Sequence, residues 1–383
     1  MPRRASPAAW NSCQQTDASN NDAYVALLYG DRSEFFLYAL LLGHHLSLFD
    51  ATRTRVLLLA IDPGAAGFGH GSNLRCLRRL WSVQMVELVD AAIADLTASK
   101  RHRYVFTKLQ AFGLDFARIL FFDLDILLRQ DPSPLFDVPA PAGMYHGSWD
   151  RTPRAHGSVI PLAAFGERNS RKGCVNAGVL RIDPAQAAER RERELKHMLR
   201  DVQRLTREDA SNLPEQYFLV HRFKTWRHLH VGWNCEVYPK YYVDEDGAVI
   251  RCQLPQDWND LGDSQETLSR SVKIFHFSGE WMHPWWFVHL SPAQGGAAVR
   301  RLLQHRDPRG LAALAIEEWL QGLEDMQDNA AFGLEDREQI KAHVDSLQVT
   351  TRAWWHSHTQ PCISCFGMAA WNWSHCTYAC EEC

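Results

Sequence analysis

Short apolar runs alternate with amphipathic stretches from about position 23 to position 287. Residues 24–29 (YVALLY) are closed by Gly30-Asp31, the pattern of a buried strand running into a loop. Ser33 then stands at a helix-capping position, and Phe36, Leu37, Leu40 and Leu41 share one helical face. Residues 55–61 predict a second strand, stopped by Asp62-Pro63-Gly64. Residues 74–80 predict a helix, 83–89 a third strand, 104–113 a helix, and 118–128 a fourth strand with Asp131-Pro132-Ser133-Pro134 just beyond. Apolar strands alternating with helices predict an α/β fold: a Rossmann-like, mostly parallel central sheet with helices on both faces.

Residues 141–173 interrupt the alternation. They are rich in Gly, Pro, Arg and His with little periodicity, and read as a long loop that is either functional or disordered. Residues 175–182 predict a further strand. Residues 185–205 predict a charged helix with Leu195, Met198, Leu199, Val202 and Leu205 on one side and a solvated Arg/Glu face on the other. A late strand is expected at 272–277, followed by an aromatic block over 281–287. Residues 292–346 are helical in pattern, with breaks near Pro308 and Gly333. The expected organisation is a polar, disordered tail at 1–22, a catalytic domain at 23–295, a helical extension at 296–346 and a Cys/Trp-rich tail at 347–383. No internal repeat is visible.

Composition narrows the function classes. Forty-one Lys+Arg against 45 Asp+Glu leave a formal charge of -4 over 383 residues, which argues against a general nucleic-acid binder. Hydrophobic residues at 46% and charged residues at 22% suit a globular protein. No run approaches the roughly 18–20 apolar residues that span a bilayer. No apolar block follows Met1-Pro-Arg-Arg, so the expected address is cytoplasmic if Met1 is the true start; a chain trimmed of an anchor would belong to the Golgi or secretory lumen. Five of the ten cysteines (Cys362, Cys365, Cys376, Cys380, Cys383) crowd the tail. Their spacing approximates a four-cysteine zinc site, with His356, His358 and His375 nearby, and is equally compatible with disulfides. The scattered Cys13, Cys76, Cys174, Cys235 and Cys252 read as small buried hydrophobes.

Phe121-Phe122-Asp123-Leu124-Asp125 carries the most chemistry. On a strand, positions 123 and 125 point the same way. Two carboxylates at the carboxyl end of a sheet strand repel unless a cation sits between them, and their oxygens suit Mn²⁺ or Mg²⁺. The plain alternative is a turn acid near Pro132. His276, in Phe-His-Phe-Ser-Gly after the late strand, is the candidate imidazole for the same site. Gly279 would let the backbone approach a ligand, and Lys108 lies on a predicted helix, where its plain reading is an ordinary surface lysine. Asn176 can donate to and accept from ring hydroxyls, with Gly178 beside it permitting close approach. Glu215 and Gln216 follow Pro214 at a helix start.

This Asp-x-Asp resembles the metal motif of GT-A nucleotide-sugar glycosyltransferases, and its surroundings resemble glycosyltransferase family 8, the glycogenin and galactinol-synthase group. Five elements over residues 23–287 carry the resemblance in order: YVALLY at 24–29, Phe106-Thr107-Lys108-Leu109, Cys174-Val-Asn-Ala-Gly-Val179, Pro214-Glu215-Gln216-Tyr-Phe-Leu219, and Lys273-Ile-Phe-His276-Phe-Ser-Gly279 with Pro284-Trp285. The resemblance implies a retaining enzyme using a UDP-sugar and Mn²⁺ or Mg²⁺. Asp123, Asp125 and His276 would hold the metal. Leu28, Tyr29, Lys108, Leu124, Gly279 and His283 would bind the nucleotide donor, and Glu215, Gln216 and Asn176 would act at the reacting sugar. The acceptor would be a carbohydrate, polyol or glycoprotein hydroxyl. The 141–173 loop (His146, Trp149, Arg151, His156, Arg171) reads either as acceptor-facing or as plain scaffold, and Trp281, Trp285 and Trp286 either line the same cleft or, for at least two of them, pack in the core.

Two departures stand out. Glu215 occupies a position where the family has Asp, and His283 stands where its closing motif has Lys, with one extra residue before it. They sustain a rival reading, a protein of the same fold that binds carbohydrate or nucleotide without catalysis. Phe-Phe-Asp-Leu-Asp also resembles the nucleophile strand of haloacid-dehalogenase phosphatases, but Ile126-Leu127 follows where a Gly-Thr pair is expected.

Overall fold

The structure is a computed structural model, and it describes residues 21–60, 68–89, 104–146, 155–165, 174–205, 214–237, 261, 265–278, 282–303, 307 and 310–365. Gly279, Trp281, Trp149, Arg151, Arg171, Cys13, Cys252, Cys376, Cys380 and Cys383 lie outside the described residues, as do the side chains of Cys362 and Cys365 and most of the expected N-terminal tail.

The chain begins with β1 (Asp22–Tyr29), α1 (Ser33–Phe49), β2 (Thr54–Ala60), α2 (Gly71–Leu80) and β3 (Ser82–Val86). A 3-10 helix at Val105–Gly113 leads to β4 (Arg118–Phe122) and β5 (Ile126–Leu128). Next come β6 (Ala142–His146), β7 (Val159–Ile160), β8 (Cys174–Ile182), α3 (Ala188–Val202), α4 (Pro214–Arg222), β9 (Trp226–His228) and β10 (Cys235–Glu236). The chain continues with α5 (Gln265–Ser271), β11 (Ile274–His276), α6 (Pro292–Leu303), α7 (Leu311–Gln327) and α8 (Leu334–Cys365).

Among the described residues, eight strands form the main sheet in the order β3-β2-β1-β4-β8-β6-β9-β7. The first four are parallel, β8 runs against its neighbours β4 and β6, and β9 is parallel to β6. The expected α/β architecture is therefore present. The apolar strands are explained by burial on both faces. Tyr24, Ala26 and Leu28 of β1 enter one core, whereas Ala23, Val25 and Leu27 enter the other. The same alternation holds in β2 and β4, as the two-residue period of a strand requires. The 3-10 helix, α3 and α4 cover one face; α1, α2, α6, α7 and α8 contribute to the core on the other.

Four expectations need correction. The predicted strand over 118–128 is two strands, because the chain leaves the main sheet after Phe122 and β5 joins a second sheet of order β10-β11-β5. The segment 141–173 is not one loop: β6 and β7 both belong to the main sheet, and short strands flanked by Pro and Gly carry little period-2 signal. Residues 105–113 wind as a 3-10 helix instead of an α-helix. The C-terminal helices are packed into the same core as α1 and α2. Trp319 of α7 lies edge-on to Tyr38 of α1 at 5.7 Å, α6 runs through position 295 and α8 through position 346. Asp336 of α8 binds Arg75 at 2.8 Å and Arg79 at 3.0 Å on α2. Cys76 and Cys235 are buried, as expected of single cysteines.

Candidate functional site

Strand order places a crevice between β1 and β4. From β1 the chain proceeds through β2 and β3 on one side, then returns to β4 on the other. Such a reversal separates the connections leaving the two strands, and ligands of open α/β sheets bind at the carboxyl ends of strands there. The cavity at this point measures about 180 Å³ and is lined by Leu27 and Tyr29 from β1, Phe35 from α1, Val105 and Lys108 from the 3-10 helix, Asp123, Leu124 and Asp125, and Glu215 of α4. Leu28, expected beside the nucleotide, faces the opposite core and is fully buried; strand alternation brings Leu27 and Tyr29 to the cavity instead.

Asp123, Leu124 and Asp125 span the junction between the two sheets. Their convergence comes from this turn and not from one continuous strand. Asp123 N–H donates to the Gly178 carbonyl at 2.8 Å, and Phe277 N–H donates to the Asp125 carbonyl at 2.8 Å. Antiparallel pairing of β5 with β11 sets His276 opposite Ile126, next to Asp125. The ligating atoms of Asp123, Asp125 and His276 lie within 4.8 Å of one another, and His276 Nε2 is 3.4 Å from Asp125 Oδ1. Two carboxylates and one imidazole fit a divalent cation such as Mn²⁺ or Mg²⁺, with the two Asp side chains partly open to the crevice.

Electrostatics agree with a cluster stressed by its own charges. Burial pushes the Asp123 carboxyl up and Asp125 adds to this, although Lys108 opposes it. Asp125 is held low: burial works against its charge, but the adjacent His276 outweighs burial. His276 is correspondingly raised, with burial opposing and Asp125 prevailing. Lys108 is buried. Its Nζ donates to Asp123 Oδ1 at 3.1 Å and lies 3.8 Å from Glu215 Oε1. Burial disfavours its charge, yet Asp123 and Glu215 raise it overall, so it remains a cation. The second Glu215 oxygen, Oε2, is buried without a hydrogen bond among the described residues. An unsatisfied buried carboxylate oxygen beside a cavity is costly without a ligand. Burial drives the Tyr29 hydroxyl up to about 12, so it stays a donor.

The remaining expected residues divide. Gln216 is buried next to Glu215 on α4. His283 stacks on Trp285 at 6.0 Å, meets Tyr38 Oη at 3.5 Å and contributes to the low Asp125 value, which places it beside the cluster. Trp285 and Trp286 are half-buried and pack on the core. His156 accepts from the His230 N–H at 3.2 Å. Asn176 is not open to the crevice. Its Oδ1 accepts from Gly178 N–H at 2.8 Å and from Asn234 Nδ2 at 2.9 Å, and its Nδ2 donates to Glu236 Oε1 at 2.9 Å. Asn234 Oδ1 in turn lies 2.8 Å from His276 Nδ1, and Ser278 Oγ donates to Glu236 at 2.8 Å. Asn234 and Glu236 were not singled out by sequence reasoning. Their only signal is polarity inside the apolar segment Val231–Val237, which predicts buried partners without naming them.

No protein-family model matches the sequence, and no curated protein matches it. Among solved structures, the chain is similar to the galactosyltransferase LgtC in complex with donor and acceptor sugar analogues, at 16% identity over 78% of this chain and 95% of that one, TM-score 0.41. It is also similar to the apo structure of the bifunctional glycosyltransferase WbbM, at 14% identity over 70% and 47%, TM-score 0.43. A third is apo mouse xyloside xylosyltransferase 1, at 16% identity over 69% and 99%, TM-score 0.36. Among the described residues no helix is long and apolar enough to cross a membrane.

Proposed function

We propose that the chain is a retaining, metal-dependent glycosyltransferase of GT-A type, moving a sugar from a UDP-sugar to a hydroxyl of a carbohydrate, polyol or glycoprotein. The observation that carries this reading is the meeting of Asp123, Asp125 and His276 within 4.8 Å at the β1/β4 crevice. A divalent cation held there supplies charge neutralisation to a departing diphosphate.

The chain's own residues provide the rest. Leu27, Tyr29, Phe35 and Val105 form an apolar and aromatic wall suited to a heterocyclic base, with the Tyr29 hydroxyl as a polar handle. Lys108 lies between Asp123 and Glu215, 3.1 Å from one and 3.8 Å from the other, and brings a positive charge to both within the pocket. Glu215 presents negative charge where positive charge grows on a sugar losing its leaving group. Gln216 sits beside it on the same helix turn. His283 and Arg32 flank Trp285 near the cluster and offer donors to a diphosphate in place of a lysine.

A panel of sugar nucleotides incubated with the full chain and Mn²⁺, with and without chelator, tests the reading. Metal-dependent UDP release from one donor is expected. Release of inorganic phosphate would point to phosphatase chemistry, and UDP binding with no turnover to a binding protein of the same fold.

A further inference from the structure

The polar groups behind His276 form a line with only one consistent direction. Gly178 contributes a backbone N–H, which can only donate, so the Asn176 atom facing it is the oxygen. That oxygen also faces Asn234, whose atom on that side is therefore the NH₂ group. The opposite end of Asn234 is then its carbonyl oxygen, and it lies 2.8 Å from His276 Nδ1. An oxygen acceptor at that distance requires the proton on Nδ1. At the other end of the line, Asn176 Nδ2 donates to the Glu236 carboxylate, which also receives Ser278 Oγ. Asn176, Asn234, Glu236 and His276 are each at most 5% exposed, so water does not compete for these bonds.

The line comes from three separate strands or turns and ends on one ring. Gly178 joins it to both halves of the cluster. Its N–H sets the direction, its carbonyl holds Asp123 N–H, and its lack of a side chain leaves room for the imidazole. Imidazoles that bind metals commonly donate their other N–H to a fixed acceptor, which selects the tautomer and orients the ring.

We propose that Asn234, Asn176 and Glu236 are positioning residues: their hydrogen-bond line keeps the proton of His276 on Nδ1 and holds Nε2 toward Asp123 and Asp125 for a divalent cation. The cation role rests on the function proposed above. Asn176 thus serves the imidazole and not the sugar, and Glu236 supplies the charge that polarises the line.

Mn²⁺ alone is titrated into the full chain, read by electron paramagnetic resonance of the free ion. Circular dichroism and thermal midpoints confirm folding. Asn234→Leu and Asn176→Asp are each expected to weaken Mn²⁺ binding about 10–100-fold. The second places two carboxylates face to face, and Asn176→Asp combined with Glu236→Gln restores one donor and one acceptor, so most of the loss is expected to return. Wild-type affinity in folded Asn234→Leu, or no recovery in the combined variant, overturns the proposal. If the single variants do not fold, long-range ¹⁵N–¹H NMR of the metal-free wild type reads the ring directly. A proton on Nδ1 throughout the folded range is expected, and a ring protonated on Nε2 alone overturns the proposal. A wild type that binds no Mn²⁺ overturns the cation role itself, together with the function it rests on. Normal wild-type binding unaffected in Asn234→Leu overturns only the positioning.

Discussion

Gly178→Ala is the sharpest perturbation of the cluster. A Cβ at this position would stand 2.2 Å from His276 Cε1, 2.6 Å from Nδ1 and 2.9 Å from Nε2. Carbon atoms in contact rest about 3.5 Å apart, so the ring would have to retreat by about 1.3 Å. Its backbone cannot follow. The His276 carbonyl accepts from Val237 N–H at 2.7 Å, and the next residue, Phe277, is tied to Asp125 at 2.8 Å. The imidazole would therefore rotate off Asn234 and away from Asp125. Overpacking a rigid site costs about 1–3 kcal/mol, and leaving buried Asn234 without its partner costs about 1–3 kcal/mol more. Urea unfolding should show a lower midpoint with unchanged slope, and Mn²⁺ titration a loss of tenfold or more, the scale of a disturbed ligand orientation. A folded Gly178→Ala protein with wild-type stability and wild-type Mn²⁺ affinity would refute the packing of His276 on Gly178.

Other outcomes follow from the same geometry. Lys108→Met strands Asp123 and Glu215 without their shared cation, and breaking a buried ion pair from one side costs about 3–5 kcal/mol. Thermal melts should fall accordingly, and an unchanged melting point would deny Lys108 that role. Trp319→Ala should cost about 3–5 kcal/mol while preserving a single transition by calorimetry, because α7 shares its core with α1; a separate early transition would show that the C-terminal helices melt independently. Asp336 is held below the ordinary carboxyl value of 3.8: burial opposes its charge, but the Arg75 and Arg79 hydrogen bonds outweigh it. A depressed carboxyl stabilises above its unfolded value and loses that contribution as pH falls through its folded one. Asp336→Asn should thus destabilise at pH 7 by about 1–2 kcal/mol, the half-exposed arginines moderating the effect, and the difference from wild type should shrink below about pH 4. A difference independent of pH would remove the charge from the explanation.

Much of the sheet was legible because burial on both faces leaves an unbroken apolar run. β1, β2 and β4 announce themselves in this way, and Gly30-Asp31 marks the end of the first. The break between β4 and β5 was not legible. Leu124 is buried and apolar, so the run from Ile119 to Leu128 looks continuous although the chain changes sheets at Asp123. The two carboxylates were nonetheless recognisable, since acids embedded among apolar residues need a partner. His276 could be proposed from its position after a strand, but its register against Ile126 is a property of the fold. The fate of Asn176 could not be read at all. An amide beside a glycine suits a sugar or a buried chain equally well, and only Asn234 and Glu236, some 60 residues downstream, decide between them.

The most direct measurement is equilibrium binding of UDP to the full chain, with and without Mn²⁺, in the wild type and in Asp125→Ala. Binding that requires Mn²⁺ and is lost in Asp125→Ala is the expected result. UDP affinity that ignores the metal, or survives the substitution unchanged, would contradict a cation held between Asp123, Asp125 and His276.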